Sequence, residues 1–151
     1  MTPNPAYLLA LQESVRTAPY PRLIGMTLSV LELDSCRIDL ELGERHMQPF
    51  GIVHGGVLAT LIDTGTFWAG FLRLPEDAGL VNVDLKLNYL RAVTGGHLRA
   101  EGRCLRAGRQ ISYTECSVFD EGGELVAHGT STLMAIPGKG LKLGISKFAQ
   151  G

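Results

Sequence analysis

Residues 55 to 72, GGVLATLIDTGTFWAGFL, hold one charged side chain, Asp63. As a helix the stretch would be roughly 27 Å long at about 1.5 Å per residue, enough to invite comparison with a membrane span. Asp63 argues against that placement. A carboxylate at mid-span costs about 2.5 to 3.5 kcal/mol on insertion scales, and no second apolar stretch follows to shelter it. The segment is predicted to be a long core helix, with no membrane as partner.

What surrounds that helix follows from the rest of the chain. Leu8, Leu11 and Val15 form the stripe of a short amphipathic helix stopped by Pro19 and Pro21, within an N-terminal helical segment over 1–20. TLSVLELDSCRIDLEL alternates, with Ile38, Leu40 and Leu42 opposite Asp39 and Glu41, and predicts a hairpin bending near Asp34 and Ser35. Residues 43–53 have loop composition. From Leu80 the period is two: Val81, Val83, Leu85, Leu87 and Tyr89 are expected on one face, Asn82, Asp84, Lys86 and Asn88 on the other. Three further strands follow, separated by Gly95-Gly96, Ala107-Gly108 and Gly122-Gly123, which predicts an antiparallel meander of about four strands. Only the apolar helix is large enough to cover its buried face. The expectation is one α+β domain over 1–151, an antiparallel sheet wrapped around a central helix, with a loosely ordered tail at 138–151 whose three lysines are solvated.

A formal charge of -1 gives no electrostatic reason to expect nucleic acid as a partner. Cys36, Cys104 and Cys116 form no CxxC pair, and an odd number argues for a reducing compartment. The N-terminus lacks the basic start and continuous apolar core of a secretion signal, so a cytoplasmic location is expected. His46, His97 and His128 show no metal-ligand spacing, and no metal is expected.

Chemistry is expected where the helix starts. A helix N-terminus offers unpaired N–H groups and partial positive charge, suited to a developing oxyanion, and glycine at Gly55 lets a carbonyl approach closely. Asp63 could serve as general base or nucleophile. The two lie about 12 Å apart along the helix and about 80° around it. If both act on one substrate they belong to different chains, which predicts an isologous dimer with antiparallel central helices and two composite sites.

The residues HMQPFGIVHGGVLATLIDTG, then VNVDLKLNYLRAV and LRAGRQISYTECSVFDEGGELVAHGTSTL, resemble hotdog-fold acyl-CoA thioesterases of the phenylacetate-degradation type over about residues 22–136. The resemblance implies hydrolysis of an acyl- or aryl-CoA thioester by dimers commonly paired into tetramers, without metal or redox cofactor. It implies Asp63 as base or nucleophile and the Gly55 N–H as the group that polarises the carbonyl. His54 would position that loop, and Gln48 would orient the thioester or the water. Gly56 falls among the substrate contacts. Asn82 stands where the family usually has a small hydroxyl residue that helps place the water. Arg91, Arg106 and Arg109, with Gly108 in the turn, are the candidates for the CoA phosphates. Two other readings accompany this one: a hotdog-fold hydratase or dehydratase with His54 as base, and a non-catalytic acyl-CoA-binding module.

Overall fold

The computed structural model describes all 151 residues. Helix α1 (Pro5–Thr17) starts at Asn4, whose side chain accepts from the Ala6 N–H, and buries Tyr7, Leu11 and Val15. The prolines that stop it also start the next element. Pro19 is the first residue of α2 (Pro19–Ile24), where a missing N–H is harmless, and Gly25 ends α2 at φ +81°. Strands β1 (Met26–Glu32) and β2 (Ser35–Glu41) form the expected hairpin, turning at Asp34 with φ +69°.

Helix α3 (Gly55–Phe71) is the apolar helix, and no helix of the structure is long and apolar enough to cross a membrane. After it come β3 (Gly79–Asn82), β4 (Lys86–Tyr89), β5 (His97–Ala107), β6 (Ile111–Phe119) and β7 (Leu125–Ile136). One antiparallel sheet has the order β1-β2-β5-β6-β7-β3, and β4 also pairs with β7. The meander is therefore β5-β6-β7 alone. β3 and β4 pair with β7, not β5, because residues 90–96 are not a hairpin turn. They cross the start of α3, where the Val53 N–H donates to the Val93 carbonyl at 2.8 Å.

The strict alternation expected from Leu80 onward is broken by a bulge. Asn82 pairs with Leu133 and Lys86 with Thr130, so three residues on one strand oppose two on the other. Asp84 bridges the gap, its Oδ1 accepting the Thr132 N–H at 2.7 Å and its carbonyl the Ser131 hydroxyl at 2.7 Å. Leu80 and Asn82 consequently face inward together with Leu85 and Leu87, while Val81 and Val83 face out.

The sheet curls around α3, which buries Val57, Leu58, Leu61, Ile62, Trp68 and Phe71 against it. Contact is closest at Gly65, where an added Cβ would come within 2.5 Å of Cys116 Sγ. Opposite it, a Cβ on Gly102 would come within 2.2 Å of the Gly65 carbonyl oxygen.

The tail departs from expectation. Lys147 is fully buried, its Nζ donating to the Phe71 and Leu74 carbonyls at 2.8 and 2.9 Å and lying 4.2 Å from the centre of the Phe71 ring. Carbonyls at a helix C-terminus need donors and favour a cation, and this lysine supplies both. Desolvation lowers its pKa to about 8, against the opposing effect of Glu76. The N-terminal residues hold the same segment: the Asn4 N–H donates to the Lys147 carbonyl and the Ala149 N–H to that of Thr2.

Candidate active site

Residues 46–54 form a tight hairpin that delivers the chain to α3. The His54 N–H donates to the His46 carbonyl and the Gln48 N–H to that of Ile52, both at 2.8 Å. At its tip the Gln48 side-chain oxygen accepts the Phe50 N–H, which leaves the Gln48 amide nitrogen free to donate. His54 is the N-cap of α3, and its Nδ1 accepts the Gly56 N–H at 2.8 Å. That bond fixes the neutral ring as the Nε2–H tautomer. It also explains glycine at 56, since a Cβ there would sit 2.8 Å from Nδ1.

With Gly56 satisfied by His54, the Gly55 N–H donates to nothing in the chain. It opens on a cleft of about 370 Å³ lined by Gln48, Ile52, Gly55, Leu58, Tyr89 and Arg91, among others. Tyr89 lies across the helix start: a Cβ on Gly55 would be 3.1 Å from its ring. The spacing of HGG and Asp gave no signal for Tyr89, which lies 34 residues beyond Gly55 and enters by the pairing of β4 with β7.

Asp63 is not in that cleft. It lies on the outward face of α3, in a stripe with Gly56, Ala59, Thr60, Thr64 and Phe67 that no element of the chain covers fully. Asn82 reaches it from β3. Its Nδ2 donates to Asp63 Oδ1 at 3.0 Å and lies 3.3 Å from both the Asp63 carbonyl and the Thr66 hydroxyl. Two of those three partners are obligate acceptors, which fixes the amide orientation. Thr66 in turn donates within the helix to Ile62 and Asp63 carbonyls. Desolvation raises the Asp63 pKa above its ordinary value although the side chain meets solvent in the single chain.

The arginine candidates separate. Arg91 lines the cleft beside Gly55 and approaches Glu124 at 3.7 Å. Arg106, Gly108 and Arg109 belong to the β5–β6 hairpin at the other end of the sheet, level with Asn82 but three strands across. Gly108 closes that hairpin, since a Cβ would meet the Ile111 carbonyl oxygen at 2.1 Å. One chain thus groups Gln48, His54, Gly55, Gly56 and Arg91 at one end, and Asp63, Asn82 and the hairpin arginines toward the other.

The thioesterase superfamily pattern is matched by residues 50–127, which include the helix start, Asp63 and Asn82. The chain belongs to the thioesterase superfamily. Among curated relatives, this thioesterase is 35% identical over 100 residues to the proofreading thioesterase EntH of Klebsiella pneumoniae, covering 66% of this chain and 73% of that one. It is 32% identical over 113 residues to a Haemophilus influenzae protein named for esterase activity, covering 75% and 82%. A crystal structure of a thioesterase from H. influenzae superposes on it with a TM-score of 0.78 at 29% identity, over 84% of this chain and 88% of that one. A thioesterase-family protein from Silicibacter pomeroyi shares the fold, with a TM-score of 0.81 at 23% identity and 87% and 99% coverage. The fold is the hotdog fold, and the protein is a thioester hydrolase.

Proposed function

We propose that this thioesterase cleaves acyl- or aryl-CoA thioesters at two composite sites in a homodimer, itself paired into a tetramer, in the manner of the phenylacetate-degradation type. The observation that carries this reading is the shared helix. Gly55 and Asp63 ride on one continuous α3, about 12 Å apart along its axis, so neither can approach the other's substrate atoms within one chain. The outward stripe of α3 and the unpaired outer edge of β3–β4, with Val81 and Val83 exposed, are what a second copy would cover.

In the composite site the Gly55 N–H of one copy binds the thioester oxygen as it becomes an oxyanion, helped by the positive end of α3. The free Gln48 amide holds the thioester. Asp63 of the other copy, steadied by Asn82, either takes a proton from water or attacks the carbonyl itself. The thiolate of CoA leaves, and water supplies the oxygen and proton that complete the acid and the thiol. Hydrolysis by this route calls on no metal or redox group. Arg91, Arg106 and Arg109 are proposed for the CoA phosphates.

Thiol release from an acyl- and aryl-CoA panel tests the activity, and its persistence in Asp63→Ala would overturn the assigned role. Co-expressing Asp63→Ala with Gly55→Val tests the composite site. Each homodimer is expected to be inactive, while heterodimers regain one intact site. No recovery in isolated heterodimers would place both groups on one chain. Mass spectrometry of the protein from rapidly quenched single turnovers separates base from nucleophile, since only attack by Asp63 on the carbonyl adds the acyl mass to the chain. A hydratase with His54 as base is disfavoured by the cap itself: Nδ1 is occupied by the Gly56 N–H, and neutral Nε2 already carries its proton.

A further inference from the structure

His46 plays no part in the chemistry proposed above, yet it is 2% exposed with both ring nitrogens engaged. Nδ1 accepts the Gly43 N–H at 2.9 Å, which leaves Nε2 to donate to the Ile24 carbonyl at 2.7 Å. Ile24 is the last residue of α2, and the His46 carbonyl accepts the His54 N–H. α2 is also fastened to α3, because the Tyr20 hydroxyl lies 2.7 Å from the Thr60 hydroxyl.

These bonds close a ring. It runs from α3 through Thr60 and Tyr20 to α2, from Ile24 to His46, across the hairpin base to His54, and back to α3 through Gly56. We propose that His46 is a positioning residue, which ties α2 to the hairpin carrying Gln48 and the His54 cap and thereby keeps the Gly55 N–H aimed at the thioester carbonyl. The inference rests on the reading that Gly55 is the carbonyl donor. A hairpin fastened only at its Val53–Val93 rim could tilt, and a donor must stay within about 2.7 to 3.1 Å of the oxyanion to act. The N-terminal segment thereby becomes part of the catalytic scaffold.

The experiment uses the full chain with His46→Ala, His46→Gln and Tyr20→Phe. For the best thioester of the panel, His46→Ala is expected to lower kcat by on the order of tenfold, with KM changed much less. Glutamine offers one acceptor and one donor of similar reach and is expected to recover part of kcat. Tyr20→Phe opens the same ring elsewhere and is expected to lower kcat by about twofold to threefold, non-additively with His46→Ala. The second readout is ¹⁵N NMR of the His54 ring, expected to show unprotonated Nδ1 in wild type and a mixture of tautomers in His46→Ala. A folded His46→Ala protein with lowered Tm but unchanged kcat and unchanged His54 signals would overturn the proposal. Should His46→Ala fail to fold, unchanged kcat and His54 signals in Tyr20→Phe would overturn it equally. A wild type that hydrolyses none of the panel defeats the substrate reading, while the NMR comparison still decides the coupling of His46 to the cap.

Discussion

The Asn82 amide nitrogen lies 3.0 Å from Asp63 Oδ1, and it is the one side-chain donor the chain gives that carboxylate. Hydrogen bonding favours the charged form and desolvation disfavours it, so Asn82 opposes the upward pull on the Asp63 pKa. Asn82→Ala is expected to move the acid limb of the pH–kcat profile to higher pH and to lower kcat at pH 7 by on the order of tenfold. A pH–rate series on both proteins checks this, and an unmoved acid limb would show that Asn82 does not tune the carboxylate.

Asp63 is expected to be held at a cost in stability. Its folded pKa is raised, so its relative contribution to stability is fullest below the unfolded carboxylate value and is lost as pH rises through the folded value. At pH 7, above the unfolded carboxylate value, burying this carboxyl is therefore unfavourable to the fold. Asp63→Asn is expected to be inactive yet to melt higher than wild type at pH 7, with the gap closing toward pH 4. Thermal melts across that range measure it.

Gly55 and Tyr89 are expected to be coupled. Gly55→Ala leaves the backbone N–H in place but presses a methyl to within 3.1 Å of the Tyr89 ring, so ring or helix start must shift. The expected loss in kcat is about tenfold to a hundredfold, smaller than the loss of a whole oxyanion donor. Adding Tyr89→Ala should make the Gly55→Ala loss smaller, and a double-mutant cycle reads the coupling.

Lys147 should make stability depend on pH in the alkaline range. Its folded pKa, about 8, lies below the unfolded value, so its contribution is present above the unfolded pKa and is lost as pH falls through 8. Wild-type stability should gain a rising component between pH 8 and about 10 that Lys147→Met lacks. At pH 7 the methionine variant should still lose roughly 1 to 3 kcal/mol, because the Phe71 and Leu74 carbonyls lose their donor. Urea unfolding at both pH values provides the test.

His97 acts in the opposite sense. Burial disfavours its charge, but bonds from its two ring nitrogens to Glu41 at 2.8 Å and Asp39 at 2.7 Å outweigh that and raise its pKa. Both bonds require the doubly protonated ring, so this clasp between β2 and β5 is fully present below about pH 6.5 and is lost as pH rises through the raised value. His97→Gln should remove that decline from the Tm–pH curve.

The central helix and the hairpin strands were legible because burial imposes a period on one continuous segment. The candidate site was legible in halves for the same reason: His54, Gly55 and Asp63 are neighbours along one helix. Tyr89 reaches the cleft through the pairing of β4 with β7, which no local pattern encodes, whereas Asn82 was named by the family resemblance and reaches Asp63 through the pairing of β3 with β7. The bulge at Val83–Leu85 defeated the period itself, since reading alternation straight through it puts Val83 where the fold puts Asn82. Lys147 escaped because a lysine in a glycine-rich tail has the composition of a solvated one. Its partners are main-chain carbonyls, which carry no sequence signature.

Asp84 touches neither the cleft nor Asp63, yet it decides which side chain the carboxylate meets. Carrying the β4 pairing on without the bulge would set Val83 opposite Leu133, turning Val83 inward and Leu80 and Asn82 outward. By supplying Thr132 with the acceptor that the extra residue takes away, Asp84 holds the bulged registration. An aspartate side chain standing in for a strand carbonyl thus belongs to the registration that places an amide beside Asp63.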